Sequence, residues 1–390
     1  MRIFLLSFFV ILVAGCATNL EHVPLDADVY YGRGTHVTGS STRWWGDVAP
    51  SASAFINLMK MMEGQVDDAH SDTDLELNFL AISGGGANGA FGVGILSGWT
   101  ESGLRPQFDI VTGASTGAII APFAFLGSDY DEVIWEIYYK IERDDVYRSS
   151  VVGGLFGGAS LADTRSLEKQ IETYVTAELL AEIAIEYKKG RSLFIVTTHF
   201  DALRPMIWDI GRIAQIHGER AVPLVRRVIM ASTAIPVLFP PVLIEQEIDG
   251  ERYTEMHVDA SVSRNVYAYP VQTDIRKLEK RIGSHHKRNI YVIQNANSEI
   301  GYEPAEAKLL SIAERALKGL LQKKGNADIE RIYYLSQRDD LNFHTIEIPS
   351  SFHADGATDF DSVYMAELLQ IGYDIGVTGD FWFNTPSSQR

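Results

Sequence analysis

The feature that most constrains this chain is the sequence Gly-Ala-Ser-Thr-Gly at residues 113–117, which directly follows the apolar run 108–112. A Gly-x-Ser-x-Gly between a buried strand and a helix is typical of a nucleophile elbow, a sharp turn that presents a serine hydroxyl at the edge of an α/β sheet. Gly113 and Gly117 fit this turn because a residue without a Cβ lets two backbones approach closely. The pattern predicts a strand, a nucleophilic Ser115 and a helix that begins just after it.

A second glycine cluster follows the apolar run 77–83 and precedes another helical pattern. Gly84, Gly86 and Gly89 match Gly-x-Gly-x-x-Gly, so a dinucleotide site is one interpretation. That site requires an acidic residue about 20 positions further on, where this chain has the serine turn instead. A plain tight turn is the second interpretation. Backbone N–H groups that stabilise an oxyanion are the third, and the serine turn on the next strand favours it.

A serine nucleophile needs a general base, and histidine is the usual one. Of the ten histidines, His344 and His353 lie late enough to complete the Ser–Asp–His order of the α/β-hydrolases. That fold needs more strands before the serine than residues 75–112 provide. The histidine triad therefore stays an alternative, and the sequence favours another base.

Four ordered blocks resemble the patatin-like phospholipases, whose sites use a Ser–Asp dyad without histidine. The glycine loop is similar to the family's oxyanion block, the elbow to its nucleophile block, and residues 231–241 to its Ala-Ser-x-Ala-x-Pro segment. Residues 258–265, Val-Asp-Ala-Ser-Val-Ser-Arg-Asn, resemble the block that carries the aspartate. The resemblance implies these site residues: Ser115 as nucleophile, Asp259 as base, and Gly84, Gly85, Gly86, Asn88 and Gly89 at the oxyanion.

The sequence departs from the family pattern in two blocks. Asn88 stands where the oxyanion block usually has a basic residue, so this side chain adds no positive charge. Ala260 and Ser261 stand where glycine usually follows the aspartate. If the turn needs a positive φ at position 260, alanine costs about 1 kcal/mol and displaces the carboxylate. Neither change removes a reacting group, so the resemblance still implies activity.

A carboxylate base must lie close to the serine hydroxyl and be partly desolvated, and we expect this of Asp259. His257 stands two residues earlier, on the same face of an extended strand, so a triad through His257 is an alternative. We expect instead a packed histidine beside the site.

The N-terminus resembles a bacterial lipoprotein signal. Arg2 precedes the apolar run 3–13, and Ala-Gly-Cys follows at residues 14–16. The run fits a signal-peptide core and is short for a membrane span; an uncleaved anchor helix is the alternative. Cys16 is the only cysteine, so it forms no intramolecular disulfide and fits a lipid attachment site. Ala17, in place of an aspartate, implies the outer membrane of a bacterial cell envelope rather than the inner one.

Charge restricts the partners of this chain. Its net charge of −17 opposes binding to nucleic acid and electrostatic adsorption of the whole chain to anionic lipid. We therefore expect membrane contact from the lipid anchor and from apolar surface. No cofactor is implied, and no group of residues has convincing metal-ligand spacing. The oligomeric state stays open.

These patterns predict a three-layer α/β domain with a mostly parallel sheet, with the elbow and the glycine loop at the carboxyl ends of its strands. Apolar periodicity predicts helices over 305–321 and 361–371 and an edge strand over 343–348. Packing onto the domain is the favoured interpretation of Trp44 and Trp45, with a membrane-interface pair as the alternative.

We expect a signal peptide at residues 1–15, a tether and N-terminal extension at 16–74, a catalytic core at 75–270 and a C-terminal completion of the domain at 271–390. The resemblance implies hydrolysis of phospholipid or lysophospholipid esters through an acyl-enzyme on Ser115. Two alternatives remain: an esterase or acyltransferase acting on another ester, and a catalytically silent envelope lipoprotein that binds lipid.

Overall fold

The computed structural model describes residues 22–32, 42–48, 76–140, 143–146, 148–149, 162–248, 250–282, 287–299, 302, 304–352 and 360–390. The expected signal peptide, Cys16, most of the 16–74 extension and His353 lie outside these residues.

The described strands are β1 Arg43–Trp45, β2 Glu76–Ile82, β3 Ile110–Ala114, β4 Arg148–Ser149, β5 Ala162–Asp163, β6 Ser192–His199, β7 Arg204–Asp209, β8 Val242–Ile248, β9 Glu251–Val258, β10 Lys287–Gln294 and β11 Asn342–Glu347. The described helices are α1 Ala27–Gly32, α2 Gly89–Glu101, α3 Thr116–Leu126, α4 Asp131–Lys140, α5 Arg143–Val146, α6 Arg165–Tyr174, α7 Ala177–Lys188, α8 Ile210–His217, α9 Val222–Ser232, α10 Ile275–Ile282, α11 Leu309–Asp339 and α12 Ser362–Val377.

Nine of the described strands form one sheet, in the order β1-β7-β6-β3-β2-β10-β11, with β9 pairing to both β6 and β8. β6, β3, β2, β10 and β11 run parallel to one another. β7 and β9 run antiparallel to β6. The mostly parallel α/β sheet predicted from the sequence is confirmed, and β11 is the last strand of the order, as its alternating pattern predicts.

Helices cover both faces of the sheet, which gives three layers. Along β2, Leu80 and Ile82 pack into the larger apolar cluster with α2, α3, α9 and α12. Phe79 and Ala81 point to the other face, where α10 and α11 contribute to a second cluster. Period-two alternation explains how one apolar strand serves both layers.

Two elements differ from the sequence pattern: a strand within the expected N-terminal extension and a longer C-terminal helix. β1 comes from the 16–74 segment and pairs antiparallel to β7, with Trp44 and Trp45 buried, so their packing onto the domain is confirmed. The helix expected at 305–321 begins at Leu309 and continues to Asp339. Its second half packs against the sheet through Ile329 and Ile332, and this burial stabilises the helix beyond its amphipathic first half.

Glycines let α2 and α12 cross at very short range. A Cβ at Gly94 would collide with the carbonyl oxygen of Leu369, and one at Gly372 would collide with that of Phe91. Since backbone oxygens cannot move aside as a side chain can, both positions require glycine. This contact fixes α2, whose N-terminal end carries the glycine loop.

We predict that Gly94→Ala lowers the stability of the protein by about 1–3 kcal/mol, because the added methyl forces two backbones apart. Gly319→Ala in α11 is the matched control: nothing lies near its Cβ position, and alanine there is expected to stabilise the helix by about 0.5–1 kcal/mol. Chemical denaturation of the two variants measures both effects. Equal stability of the variants would mean that the α2–α12 contact tolerates a Cβ.

Candidate active site

Ser115 lies on the sharp turn between β3 and α3, as the elbow pattern predicts. Its backbone has φ 52° and ψ −124°, a strained conformation for a residue with a side chain. A Cβ at Gly113 would collide with the carbonyl oxygen of Gly117, and one at Gly117 would collide with that of Ile82. The two flanking glycines therefore allow the turn and the close crossing of α3 over β2.

A second serine holds the backbone of the turn. The Ser115 N–H donates to Ser232 Oγ at 2.9 Å, and Ser232 Oγ donates to the Val196 carbonyl oxygen at 2.6 Å. Ser232 ends α9, and it thereby ties the elbow to β6. This role of Ser232 is not predicted from the sequence, although the serine within residues 231–241 was the available signal.

Asp259 follows β9 and reaches the serine directly. The Ser115 Oγ donates to Asp259 Oδ2 at 2.7 Å, while Asp259 Oδ1 accepts the Ser261 N–H at 2.7 Å. Thr198 Oγ1 donates to the Asp259 carbonyl at 2.9 Å and fixes the backbone from β6. Both oxygens of the carboxylate are thus oriented, one toward the turn that follows it and one toward the serine.

Burial dominates the electrostatics of Asp259. Loss of water raises the pKa of Asp259 to about 6, although the hydrogen bonds from Ser261 and Ser115 act in the opposite direction. No cation among the described residues pairs with this carboxylate. A carboxylate with a raised pKa accepts a proton more readily, which suits a general base near neutral pH.

The substitution at Ala260 causes no backbone strain. Ala260 begins the short 3-10 turn Ala260–Val262 and does not have a positive φ, so the cost considered from the sequence does not arise. Its side chain is completely buried in an apolar cluster with Ala114 and Val196. Alanine therefore fits this turn, and its methyl adds packing beside β3.

The glycine loop approaches the serine, but not all of its N–H groups are available. The Gly84 N–H donates to the Asn265 carbonyl at 2.9 Å, and the Asn88 N–H to the Gly85 carbonyl at 3.1 Å. The Gly89 N–H is bonded to carbonyls within the loop. Gly84 is thus corrected from a candidate donor to a close-packed position. Within the described part of the chain, the N–H groups of Gly85 and Gly86 donate to no other residue, and Gly86 has a positive φ of 58°.

Polar side chains that are not predicted from the sequence pack directly against the glycines of the loop. A Cβ at Gly84 would meet Asn265, Ser261 and Ser115, and a Cβ at Gly85 would meet Asn295. Asn295 follows β10, accepts a hydrogen bond from the loop-proximal end of α2 and donates to the Ser83 carbonyl. Asn295 could have been predicted from the sequence, because it follows a parallel strand at the sheet edge where ligands usually bind.

Asn88 and Gly89 contribute packing on the other side of the loop. The Asn88 Oδ1 accepts a hydrogen bond of 2.6 Å from the Tyr364 hydroxyl at the start of α12. A Cβ at Gly89 would collide with Thr116 Oγ1 and contact Tyr138. The amide that replaces the family's basic residue therefore anchors the loop to α12.

An apolar cavity opens beside the serine. Ser115, Thr116 and Gly86 form part of its wall. The rest of the wall is almost wholly hydrocarbon and includes Ile119, Phe123, Leu167, Ile171, Ile235 and Phe239. Such a wall favours an alkyl chain, since apolar surface gains about 25 cal/mol per Å² when it leaves water.

No described histidine contacts Ser115 or Asp259. His257 is completely buried, with Nδ1 3.0 Å from Thr197 Oγ1 and Nε2 3.2 Å from Glu255 Oε2. Burial lowers the pKa of His257, although the Glu255 carboxylate acts in the opposite direction. His344 stacks on Tyr291 at the far edge of the sheet. His257 is thus the packed histidine that the sequence analysis expects.

The described residues contain no group of acidic, histidine or cysteine side chains arranged to hold a metal ion. None of the described helices combines the length and the apolar composition needed to cross a bilayer.

The fold defines an α/β protein with a mostly parallel sheet, and a strained serine turn, an adjacent carboxylate and an apolar cavity lie at the carboxyl edge of this sheet. The model of the patatin-like phospholipase family matches residues 80–271. This segment belongs to that family, and the chain carries a patatin-like phospholipase domain. The family implies hydrolysis of lipid esters.

The known proteins similar to this chain include a phospholipase and a solved structure. A cUMP-AMP-activated phospholipase from Escherichia coli is 28% identical over 144 residues, which is 36% of this chain and 40% of that protein. The match thus spans less than half of that relative's length. The crystal structure of VipD from Legionella pneumophila superposes with a TM-score of 0.38 and 12% identity, covering 78% of this chain and 66% of that one.

We predict that Asp259→Asn stabilises the protein above pH 6 by about 1–3 kcal/mol. The folded pKa, about 6, lies above the value of 3.8 for the free side chain, so the folded state holds the proton more strongly. The contribution of Asp259 to stability is therefore fully present below about pH 4 and is lost as the pH rises through about 6. Asparagine removes this loss because it never ionises.

Chemical denaturation between pH 4 and pH 8 measures the difference between the variant and the wild type. Asp361→Asn is the control, because Asp361 is a partly exposed N-cap of α12 and asparagine caps equally well. The difference should grow with pH for position 259, and at pH 8 the stabilisation by Asp259→Asn should exceed the effect of the control. A flat difference at position 259 would contradict a buried carboxylate without a cation beside it.

Proposed function

We propose that this protein is a serine acyl hydrolase that cleaves fatty-acyl esters of phospholipids or lysophospholipids. The single observation that carries the proposal is the Ser115 hydroxyl, which is bonded to the buried Asp259 carboxylate and faces an apolar cavity. The cavity wall suits the acyl chain, and the hydroxyl lies where the ester carbonyl would meet it. The family and the phospholipase relative support the same class of substrate.

In the proposed reaction, Ser115 Oγ attacks the ester carbonyl as its proton passes to Asp259 Oδ2. The N–H groups of Gly85 and Gly86, and that of Thr116 at the start of α3, would stabilise the oxyanion, since the first N–H groups of a helix have no partner within it. Asp259 then returns the proton to the leaving alcohol. Water then attacks the acyl-enzyme as its proton passes to Asp259. The ester bond to Ser115 Oγ breaks, the fatty acid leaves, and Asp259 returns the proton to Ser115 Oγ.

We also propose that the protein is a lipoprotein of the bacterial cell envelope, with Cys16 as the lipidated residue and the outer membrane as its location. The N-terminal sequence pattern supports this proposal. A lipid anchor would keep the domain beside its substrate.

We predict that a fluorophosphonate labels a single serine, Ser115, because only an activated hydroxyl reacts with it. Mass spectrometry of the labelled peptides identifies the site. Ser115→Ala should lose both labelling and ester hydrolysis while keeping its fold, since it removes one hydroxyl from a turn.

Hydrolysis should also decline as the pH falls through about 6, where Asp259 takes up a proton.

Variants of the base complete this test. Asp259→Asn should reduce the rate by about 10²–10⁴, the usual contribution of a positioned base, whereas His257→Ala and His353→Ala should cost far less. An inactive His353→Ala with an active Asp259→Asn would replace the dyad by a histidine triad. Labelling at a serine other than 115 would overturn the elbow assignment.

We predict that Cys16→Ser changes how the protein binds membranes. A lipidated chain should stay in the membrane pellet after a high-salt wash, because acyl chains are insensitive to salt. The variant should move to the supernatant under the same wash. Fractionation of cells that express either form measures this, and a salt-resistant variant would mean that Cys16 is not the anchor.

A further inference from the structure

The first half of α11 extends past the edge of the sheet. α11 has 31 residues, about 46 Å, whereas the eight residues of β10 span about 26 Å. Gln322 Nε2 donates to the Asn297 carbonyl and Asn326 Nδ2 to the Ser298 carbonyl, just beyond the carboxyl end of β10. Residues 309–321, about 20 Å of helix, therefore project beyond this edge. We call them the α11 overhang.

The part of α11 next to the overhang lies beside the candidate active site. Gly325, four residues after the overhang, lies directly against Asn265, since a Cβ there would collide with the Asn265 side chain. Asn265 in turn holds the Gly84 N–H next to Ser115. The overhang and the serine are thus on the same edge of the domain.

One face of the overhang is apolar and exposed. Leu309 is 87% exposed, Ile312 53% and Leu320 70%. At 100° per residue these three side chains lie within about 80° of one another around the helix. The exposed Ala313 and Ala316 lie on the same face and leave it smooth.

The charges of this stretch oppose those of the whole chain. The overhang and the three residues after it, 309–324, hold four basic side chains and one acidic one, within a chain of net charge −17. Lys308, just before the helix, is paired with Glu306. Around the helix, Arg315 and Lys318 fall about 120° and 180° from Leu309, whereas Lys323 falls about 40° from it. A helix whose exposed apolar face is bordered by basic side chains is the pattern of a segment that lies in the plane of a membrane surface.

A second exposed apolar segment lies at the cavity. Ile235 and Phe239 line the cavity wall, and between them Val237 is 60% exposed and Leu238 37%. Apolar side chains therefore point to solvent both at the cavity and along the overhang.

We propose that the α11 overhang docks the domain on an anionic lipid surface, with Leu309, Ile312 and Leu320 inserted and the basic side chains at the headgroups. The local positive charge overcomes the repulsion expected from the net charge, because surface electrostatics fade within a Debye length. Docking at this edge would bring the cavity of Ser115 to the membrane. This consequence rests on the proposed function, whereas the docking itself does not.

The test measures sedimentation with phosphatidylglycerol or phosphatidylcholine vesicles, using the full chain with Cys16→Ser so that no lipid anchor contributes. Leu309→Ser combined with Leu320→Ser should weaken binding to phosphatidylglycerol by about tenfold or more. Leu104→Ser combined with Ile185→Ser is the matched control, with exposed side chains away from the overhang, and should bind as the parent does. Parent binding should be weaker on phosphatidylcholine and at high salt.

Hydrolysis of a water-soluble short-chain ester separates the docking proposal from the proposed function. The overhang variant should keep this activity and lose hydrolysis of vesicle lipid. If the parent hydrolyses no ester but the overhang substitutions still abolish its vesicle binding, the docking proposal holds and the proposed enzymatic function is wrong. Equal vesicle binding by the overhang and control variants would overturn the docking. So would a parent dimer in size-exclusion chromatography that the overhang variant disrupts without any change in vesicle binding.

Discussion

The hydrogen bond between Ser115 and Asp259 joins two parts of the chain that are 144 residues apart, and the site depends on it. β3 delivers the serine, and the β8–β9 hairpin delivers the aspartate. β6 connects them, because it pairs parallel with β3 and antiparallel with the end of β9. A shift of one residue in either pairing would turn the side chains to the opposite face and separate the two groups.

Close backbone approach is the second requirement of the site. Gly113 and Gly117 let α3 pass over β2, and Gly84 gives room to Ser115 and Asn265. The strained dihedrals of Ser115 persist because Ser232 accepts a hydrogen bond from its N–H and because α3 packs against β3, β6 and α9. Tertiary packing thus outweighs the preference of the Ser115 backbone for unstrained φ and ψ angles.

The buried carboxylate links stability and chemistry. Asp259 has no cation beside it among the described residues, and burial raises its pKa to about 6. The same desolvation that destabilises the ionised folded state makes the carboxylate a better proton acceptor. Charge acts differently at the surface, where residues 309–324 of α11 carry a net positive charge within a chain of net charge −17. Net charge therefore describes solubility and long-range repulsion, whereas local charge decides which face meets a lipid surface.

The sequence by itself determined the parts that depend on local spacing. Strand, glycine turn and helix around residues 84–89 and 113–117 follow from residue size and apolar period, and the order of the blocks indicated the family. Tertiary structure decided what depends on distant partners. Only the folded chain shows that Asn265 occupies the Gly84 N–H, that Ser232 holds the elbow and that α11 continues to Asp339. Hydrogen-bond partners and burial are set by residues far apart in sequence, and no local pattern encodes them.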